Sequence, residues 1–345
     1  MGHNRRDSPQ PTASSVADGV RLWSGSVRSI DLTPNQDRHV SFQPGTPPTV
    51  VVTGASKGIG AAIVRRLVAD GFRVIAGVRR PEDAQALRKE LGDRVLPALL
   101  DITDPDAVAA AGELVGGEAG DRGLAGLVNN AGIAVAAPLE FLPPAELRRQ
   151  LEVNVVGQHA VTQALVALLR RGRGRIVNLG SIGDRIVAPM TGPYHVSKFA
   201  LRAWSDTLRL ELSPWGIQVV LVEPGAVATP IWETSIAAAE RLQQTLPSAV
   251  EALYGRAIAA ARISALRSAA RGMPADQVAA VVARALTVRR PRARYLVGTD
   301  ARITAIVARL PDRLRDRLVL SQSGGAARDP GDHHRVQDTV PSDPG

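Results

Sequence analysis

The sequence predicts an α/β fold, a doubly wound sheet of seven parallel strands with helices on both faces. Three observations carry that expectation. Short apolar or β-branched runs alternate with helical patterns from about residue 48 to residue 300, the rhythm of parallel strands joined by crossover helices. The first run, Val50-Val51-Val52, is β-branched at consecutive positions, as suits a strand buried on both faces. It feeds into Thr53-Gly54-Ala55-Ser56-Lys57-Gly58-Ile59-Gly60, a glycine-rich turn ahead of a helical pattern.

The elements follow in order. After the strand at Thr49 to Val52, a helix from Ala61 to Asp70 is carried by Ala62, Ile63, Leu67 and Val68 and stopped by Gly71, and Phe72 to Val78 is the second strand. Val95 to Leu100 is the third and ends in Asp101; Asp104 is an N-cap and Pro105 a first-turn residue for a helix to about Val115. Leu124 to Val128 is the fourth strand and leads into Asn129-Asn130-Ala131-Gly132. One long helix is expected from Pro144 to about Arg171, striped by Leu147, Leu151, Asn154, Gln158, Val161, Leu165 and Leu168. Arg175 to Leu179, the helix around Lys198, and Ile217 to Val222 continue the alternation. After Pro224-Gly225 it breaks. Residues 229–272 are helical without an intervening strand and are expected to cover a substrate; their Pro230, Ile231, Trp232, Leu242, Leu246, Leu253 and Tyr254 suit an apolar pocket, or equally the packing of a helix onto the sheet. A helix from Asp276 to Val288 and a strand at Tyr295 to Val297 complete the sheet, and one or two short helices lie within Ile303 to Leu320. A single domain is thus expected over 48–320, between a disordered arm at 1–47 and a disordered tail at 321–345, both rich in Pro, Asp or Gly and without periodicity.

Composition narrows the function. The 345 residues are 45% hydrophobic, enough for a substantial core. Absent cysteine excludes disulfides, thiolate metal sites and a cysteine nucleophile. The +9 charge is spread over dispersed arginines, and aromatic residues make up only 3%, too few for base-stacking platforms, so no nucleic-acid partner is expected. The beginning MGHNRRDSPQ has no apolar core for a secretory signal, Arg6 stands where a myristoylation signal wants Ser or Thr, and no apolar run reaches the ~18 residues of a membrane span. A soluble, cytoplasmic protein with no membrane anchor is the expectation. His333 and His334 lack a carboxylate or cysteine framework, so no metal site is expected.

Backbone N–H groups of a strand–glycine turn–helix unit surround an anion, usually a dinucleotide pyrophosphate. The spacing of Gly54, Gly58 and Gly60 is GxxxGxG. At the end of the second strand, where an acid would take the ribose hydroxyls of NAD, stand Val78, Arg79 and Arg80, with Lys57 inside the glycine turn. Guanidinium pairs phosphate bidentately, so NADP(H) is the expected cofactor. Tyr194 and Lys198 lie four residues apart, on one face of a helix. A fixed ammonium beside a phenol, strengthened by a cationic ring nearby, would draw the phenol down from its ordinary value toward neutrality and make it a usable acid or base.

Together these residues resemble the short-chain dehydrogenase/reductase family: TGASKGIG at 53–60, Asp101, NNAG at 129–132, Asn154, Ser181, Tyr194-x-x-x-Lys198 and Pro224-Gly225 occur in its order over roughly 48–300. Glu223-Pro224-Gly225 and the ending Arg294 to Ala301 look most like the branch acting on steroids, retinoids and similar lipophilic alcohols. The resemblance implies a Rossmann fold and hydride transfer between a lipophilic alcohol and its ketone or aldehyde. It makes Tyr194 the general acid/base, Lys198 its modulator and ribose ligand, Ser181 the substrate anchor, and Asn154 the holder of a relay water, a role compatible with that of a structural amide. It assigns Gly54, Ser56, Lys57, Gly58, Ile59, Gly60, Arg79 and Ile102 to the cofactor, Asp101 to its adenine, Asn130 with Ala131 and Gly132 to the adenosine side, and Pro224, Gly225, Val227 and Thr229 to the nicotinamide side. Gly180 departs from the pattern, since many relatives have a serine there. A homodimer or homotetramer is implied. A regulator that binds nucleotide without turnover, and a double-bond reductase or epimerase on the same fold, remain the alternatives.

Overall fold

The computed structural model describes residues 47–322, so the expected arm and tail, with His333 and His334, lie almost wholly outside the described residues. The strands are β1 (Thr49–Val52), β2 (Arg73–Val78), β3 (Val95–Leu99), β4 (Gly126–Asn129), β5 (Arg175–Leu179), β6 (Gln218–Pro224) and β7 (Arg294–Val297). They pair in parallel in the order β3-β2-β1-β4-β5-β6-β7, the doubly wound seven-stranded sheet expected from the alternation. The order reverses between β1 and β4, whose following chains diverge and open a crevice at the strands' C-terminal ends.

The helices are α1 (Gly58–Ala69), α2 (Pro81–Leu91), α3 (Pro105–Ala119), α4 (Pro144–Leu151), α5 (Gly157–Gly172), α6 (Gly192–Leu212), α7 (Ile231–Gln243), α8 (Ala249–Arg271), α9 (Ala275–Thr287), α10 (Thr299–Val307) and α11 (Asp312–Gln322). Asp104 caps α3 by accepting the Asp106 N–H at 3.0 Å. Period-two alternation along each strand feeds two cores. Val50 and Val52 face Ile63 and Leu67 of α1 and Val278, Val282 and Leu286 of α9. Val51 and Ile75 face Val108 and Val115 of α3 and Val161, Leu165 and Leu169 of α5. Each fully buried Val, Leu or Ile contributes about 1.5–3 kcal/mol.

Two elements differ from the sequence reading. α2 has no counterpart there, because Leu87 is its one buried residue and leaves no apolar stripe to read. The single helix expected from Pro144 to Arg171 is divided by a π turn, Glu152–Val156. Tertiary contacts hold that turn: Asn154 within it bonds two other segments, and a Cβ on the next residue, Gly157, would lie 2.6 Å from the Ile102 carbonyl oxygen.

One buried charge cluster braces the sheet's C-terminal end. Arg185 grips the buried Glu223 of β6 with two hydrogen bonds, Nε to Oε1 at 2.8 Å and Nη2 to Oε2 at 2.9 Å. Beside them Asp184 is 0% exposed, and its Oδ1 lies 3.7 Å from Arg185 and 3.9 Å from Arg202, too far for hydrogen bonds. Burial first, and the Glu223 charge second, push Asp184 up to about 8 against the pull of Arg202 and Arg185. A carboxyl raised this far favours its protonated form at neutral pH. This also accounts for Gly180: a Cβ there would stand 3.2 Å from Asp184 Oδ2 and 3.0 Å from the Leu221 side chain.

Since the folded chain keeps a proton on Asp184 that the unfolded chain has lost, stability falls as pH rises from the ordinary aspartate range to about 8. Asp184→Asn supplies the donor permanently. Its Tm gain over wild type is expected to grow from small near pH 5 to several degrees near pH 8; parallel Tm-versus-pH curves for the two proteins would remove Asp184 as the titrating group.

Candidate active site

The glycine turn begins where β1 stops. Gly54 and Gly58 have φ of +62° and +57°, left-handed values that favour glycine. A Cβ on Gly60 would fall 2.1 Å from the Gly54 carbonyl oxygen and 2.6 Å from Asn130 Nδ2, and one on Gly54 would fall 2.8 Å from Ala131 Cα. The expected residues of the β4 end thus meet the turn directly. Thr53 Oγ1 accepts the N–H groups of Asn130 and Ala131, both at 3.0 Å, while Asn130 Nδ2 donates to the Thr53 and Gly54 carbonyls at 2.9 and 3.0 Å. The Asn130 amide group is committed to bracing the turn, a use that its assignment to the adenosine side did not foresee. Gly132 lies next to Asn154, 3.3 Å from its Oδ1 by the same Cβ measure. Thr229 closes the turn from the other side, its Cβ 3.2 Å from where a Cβ on Gly58 would be.

α1 starts at Gly58, behind Lys57, with no side chain capping it and no acid in its first turn. Its leading N–H groups, beside Ser56 and Ile59, fit a phosphate. At the end of β2, Arg80 is engaged with Asp83 three residues on, at 3.1 Å, whereas Arg79 is exposed and its charge helps hold the Asp101 carboxyl below its ordinary value. The larger cause of that lowering is Thr103, whose hydroxyl and N–H donate to Asp101 Oδ1 at 2.7 and 3.0 Å. Ile102 is buried under the start of α5. The turn, the helix N-terminus and the cations Lys57 and Arg79, neither of which has a side-chain hydrogen bond or ion pair among the described residues, suit the phosphates of a dinucleotide.

Tyr194 and Lys198 stand in the first turns of α6, with Tyr194 half-buried and Lys198 buried. Lys198 Nζ donates to the Leu179 carbonyl, the last of β5, at 2.7 Å, and lies 5.6 Å from the centre of the Tyr194 ring. Burial draws Lys198 down to about 8, opposed by Asp184. Burial also pushes the Tyr194 phenol up, with a hydrogen bond to Ser181 acting the other way. The lowering of Tyr194 expected from Lys198 and a cationic ring is not seen in the protein alone, where burial dominates and the Lys198 ammonium is directed at a carbonyl. Ser181 Oγ accepts the Gly183 N–H at 3.1 Å, which leaves its proton for another acceptor.

Behind this group runs a buried polar seam. Asn154 donates to the Ile133 carbonyl and to Ser197 Oγ, both at 3.0 Å, and accepts the Ile133 N–H at 2.9 Å. These bonds make Asn154 a structural amide, a use compatible with the relay role the resemblance gives it. Gln150 joins the seam by donating to Ile133 O at 2.9 Å and accepting the Val135 N–H at 2.7 Å, and Ser197 Oγ donates to the Tyr194 carbonyl at 2.7 Å. Gln150 and Ser197 were not foreseen; polar residues recurring on the inner face of a helix are the signal that would have found them.

On the far side, Gly225 N–H donates to Val297 O at 3.0 Å after Pro224, and Asp300 Oδ2 accepts the Ala226 N–H at 2.7 Å. A Cβ on Gly225 would collide with that carboxylate at 2.1 Å, so Asp300 rather than the cofactor alone demands the glycine. Val227 is buried and accepts Trp232 Nε1–H at 2.8 Å, which fixes the start of α7. The covering segment consists of α7 and α8, and Tyr254 of α8 donates to Glu140 Oε2 at 2.5 Å and meets Phe141 edge-on, with ring centres 6.0 Å apart. Tyr295, by contrast, is the strand residue it was expected to be.

The comparisons agree with this geometry. A family model for short chain dehydrogenases matches residues 48–240. Mouse (Mus musculus) retinol dehydrogenase 5 is 38% identical over 288 residues, covering 80% of this chain and 89% of its own length. An NADPH-dependent 3-dehydrocapnine reductase of Ornithobacterium rhinotracheale is 35% identical, covering 78% and 94%, and human (Homo sapiens) 17-beta-hydroxysteroid dehydrogenase type 6 is 36% identical, covering 78% and 87%. Among solved structures, a short chain dehydrogenase of Burkholderia cenocepacia in complex with NADP superposes with a TM-score of 0.61 at 25% identity, covering 81% of this chain and 99% of its own. A similarity of this extent, on a sheet and glycine turn of this form, establishes that the chain belongs to the short-chain dehydrogenase family.

Proposed function

We propose that the protein interconverts a lipophilic alcohol and its ketone or aldehyde by hydride transfer with NADP(H), and that Tyr194 is the general acid/base. The observation that carries this reading is the half-buried Tyr194 phenol beside the Ser181 hydroxyl, at the strand ends that also bear the glycine turn. A bound nicotinamide cofactor would supply or accept the hydride, and in its oxidised form would bring positive charge to the site. Ser181 donates to the substrate oxygen and fixes its direction. Because burial keeps the phenol protonated at neutral pH, Tyr194 O–H is ready to give its proton to the oxygen of a carbonyl being reduced. In the opposite direction the phenolate takes the alcohol proton. Lys198, held by Leu179, is available to the cofactor ribose near the Tyr194 ring.

The preference for NADP(H) is supported by the cations Lys57 and Arg79, which have no ion pair among the described residues, by the lack of an acid at the end of β2, and by the NADPH and NADP named for two of the relatives. A lipophilic substrate is supported by retinol- and steroid-dehydrogenase relatives and by half-buried Ile231, Trp232, Leu242 and Leu246 on α7 and the turn after it. Among the described residues no helix is long and apolar enough to cross a membrane. The homo-oligomer is supported by Val156, Phe199 and Leu210, large apolar residues exposed in the π turn and on α6.

Tyr194→Phe retains ring packing and removes the proton. Its kcat is expected to fall about 100-fold or more while NADPH still binds; wild-type turnover with a panel of lipophilic ketones would refute the mechanism. Arg79→Ala is expected to lower kcat/KM with NADPH about 10-fold or more, the worth of a charge-assisted hydrogen bond, and to leave NADH kinetics unchanged. Equal losses with both cofactors, or a wild-type preference for NADH, would overturn the assignment of Arg79.

A further inference from the structure

His195 directly follows Tyr194, yet neither the mechanism nor the sequence motifs give it a role. The residue is 9% exposed, and both ring nitrogens are engaged by the loop that connects Ser181 to Tyr194. Nε2 lies 3.0 Å from the Ala188 backbone nitrogen, which can only donate, so Nε2 is the acceptor. Nδ1 lies 2.9 Å from the Gly183 carbonyl oxygen, which can only accept, so Nδ1 carries the proton. Thr191 Oγ1 stands 3.1 Å from Nε2 and sends its own proton to the Ala188 carbonyl, also at 3.1 Å. The environment thus selects a single neutral tautomer, and burial, pulling the ring below the ordinary histidine value, keeps it neutral. Gly183 is the receiving end: a Cβ there would meet His195 Nδ1 at 3.0 Å and Tyr194 Cε1 at 3.3 Å, so glycine permits the approach. The same residue's N–H donates to Ser181 Oγ at 3.1 Å. A continuous path therefore runs from the His195 ring through Gly183 to the Ser181 hydroxyl.

We infer that His195 is a positioning residue: its Nδ1–H and Nε2 staple Gly183 and Ala188 together, and through Gly183 they set the direction of the Ser181 hydroxyl at the reacting oxygen. The inference rests on the reading of Ser181 and Tyr194 given under Proposed function. Hydrogen-bond directions assign the two ring atoms separate duties. The Nδ1 side aims Ser181 and governs the chemical step, while the Nε2 side holds residues 186–190, the outer part of the loop.

Two amide variants separate these duties, since Asn places a donor near the Nδ1 position and Gln an acceptor near the Nε2 position. With a lipophilic ketone and NADPH, His195→Gln is expected to lose about 10- to 100-fold in kcat, as a displaced orienting group does, with substrate KM and NADPH affinity within about threefold of wild type. His195→Asn is expected to restore kcat to within about threefold and to raise substrate KM instead. Wild-type kcat in His195→Gln, or equal kcat losses in both variants, would overturn the inference. Histidine 15N resonances of the wild-type protein test it without any substitution: a neutral ring protonated on Nδ1 is expected at pH 7, and an Nε2–H tautomer or an imidazolium for His195 would refute it. Tyr194→Phe in the same assay keeps the two readings apart. If that variant turns over normally, the acid/base assignment is at fault; if it is inactive while His195→Gln is not, only the staple is.

Discussion

The site depends on one contact, the Lys198 ammonium donating to the Leu179 carbonyl. A buried cation without a partner is costly, and leaving it unpaired would forfeit the hydrogen bond and expose the full desolvation penalty, on the order of several kcal/mol. The carbonyl it finds is the last of β5, two residues before Ser181, and the lysine stands one turn after Tyr194. Helix α6 is thereby locked in register to the strand end, and the serine and the phenol become parts of one rigid frame. The fall of Lys198 to about 8 is the electrostatic mark of that placement.

That frame is extended by polar chains that cross the sheet. Asn129 and Asn178 are register partners on β4 and β5; Asn129 Nδ2 donates to Asn178 Oδ1 and to Thr162 Oγ1, both at 2.9 Å, and Asn178 Nδ2 donates to Ser205 at 2.8 Å. Thr162 belongs to α5 and Ser205 to α6, so the two helices are tied through the strands they cover. The Gln150–Asn154–Ser197 seam repeats the tie nearer the site. Such networks specify one arrangement because a shift of either helix orphans several buried groups at once. The π turn follows from this: one extra residue in the helix brings Asn154 to Ile133 and Ser197 without displacing the apolar stripe on α5.

The strands were legible because a strand buried on both faces is an unbroken apolar run, and their bounds fell within two residues of the sequence reading. Helix α2 was not, since Leu87 alone gives no period. The π turn was hidden for a related reason: its cause lies in Ile133 and Ser197, remote in sequence. Of the site, the glycine spacing and the Tyr194–Lys198 pair were plain as positions. Their electrostatics were not, because a four-residue spacing states distance but not solvation, and solvation decides both groups. Arg79 and Arg80 were equivalent in sequence until Asp83, one helical turn beyond, claimed the second. Gly180 read as a departure from a family pattern and is explained by the Asp184 carboxyl behind it.

Asp184 links the architecture to the chemistry. As an anion it would hold Lys198 charged and oppose ionisation of Tyr194, since its field raises both groups. Burial and the Glu223 carboxylate keep the proton on it up to about pH 8, so at neutrality it is a neutral neighbour and exerts little of that field. Arg185 contributes by committing Nε and Nη2 to Glu223 and staying 3.7 Å from Asp184, too far for a hydrogen bond that would draw the Asp184 proton off. Asp184 thus bears on Lys198 and Tyr194 less than burial does, and what holds it beside them is the packing of β6 against the loop that carries Ser181.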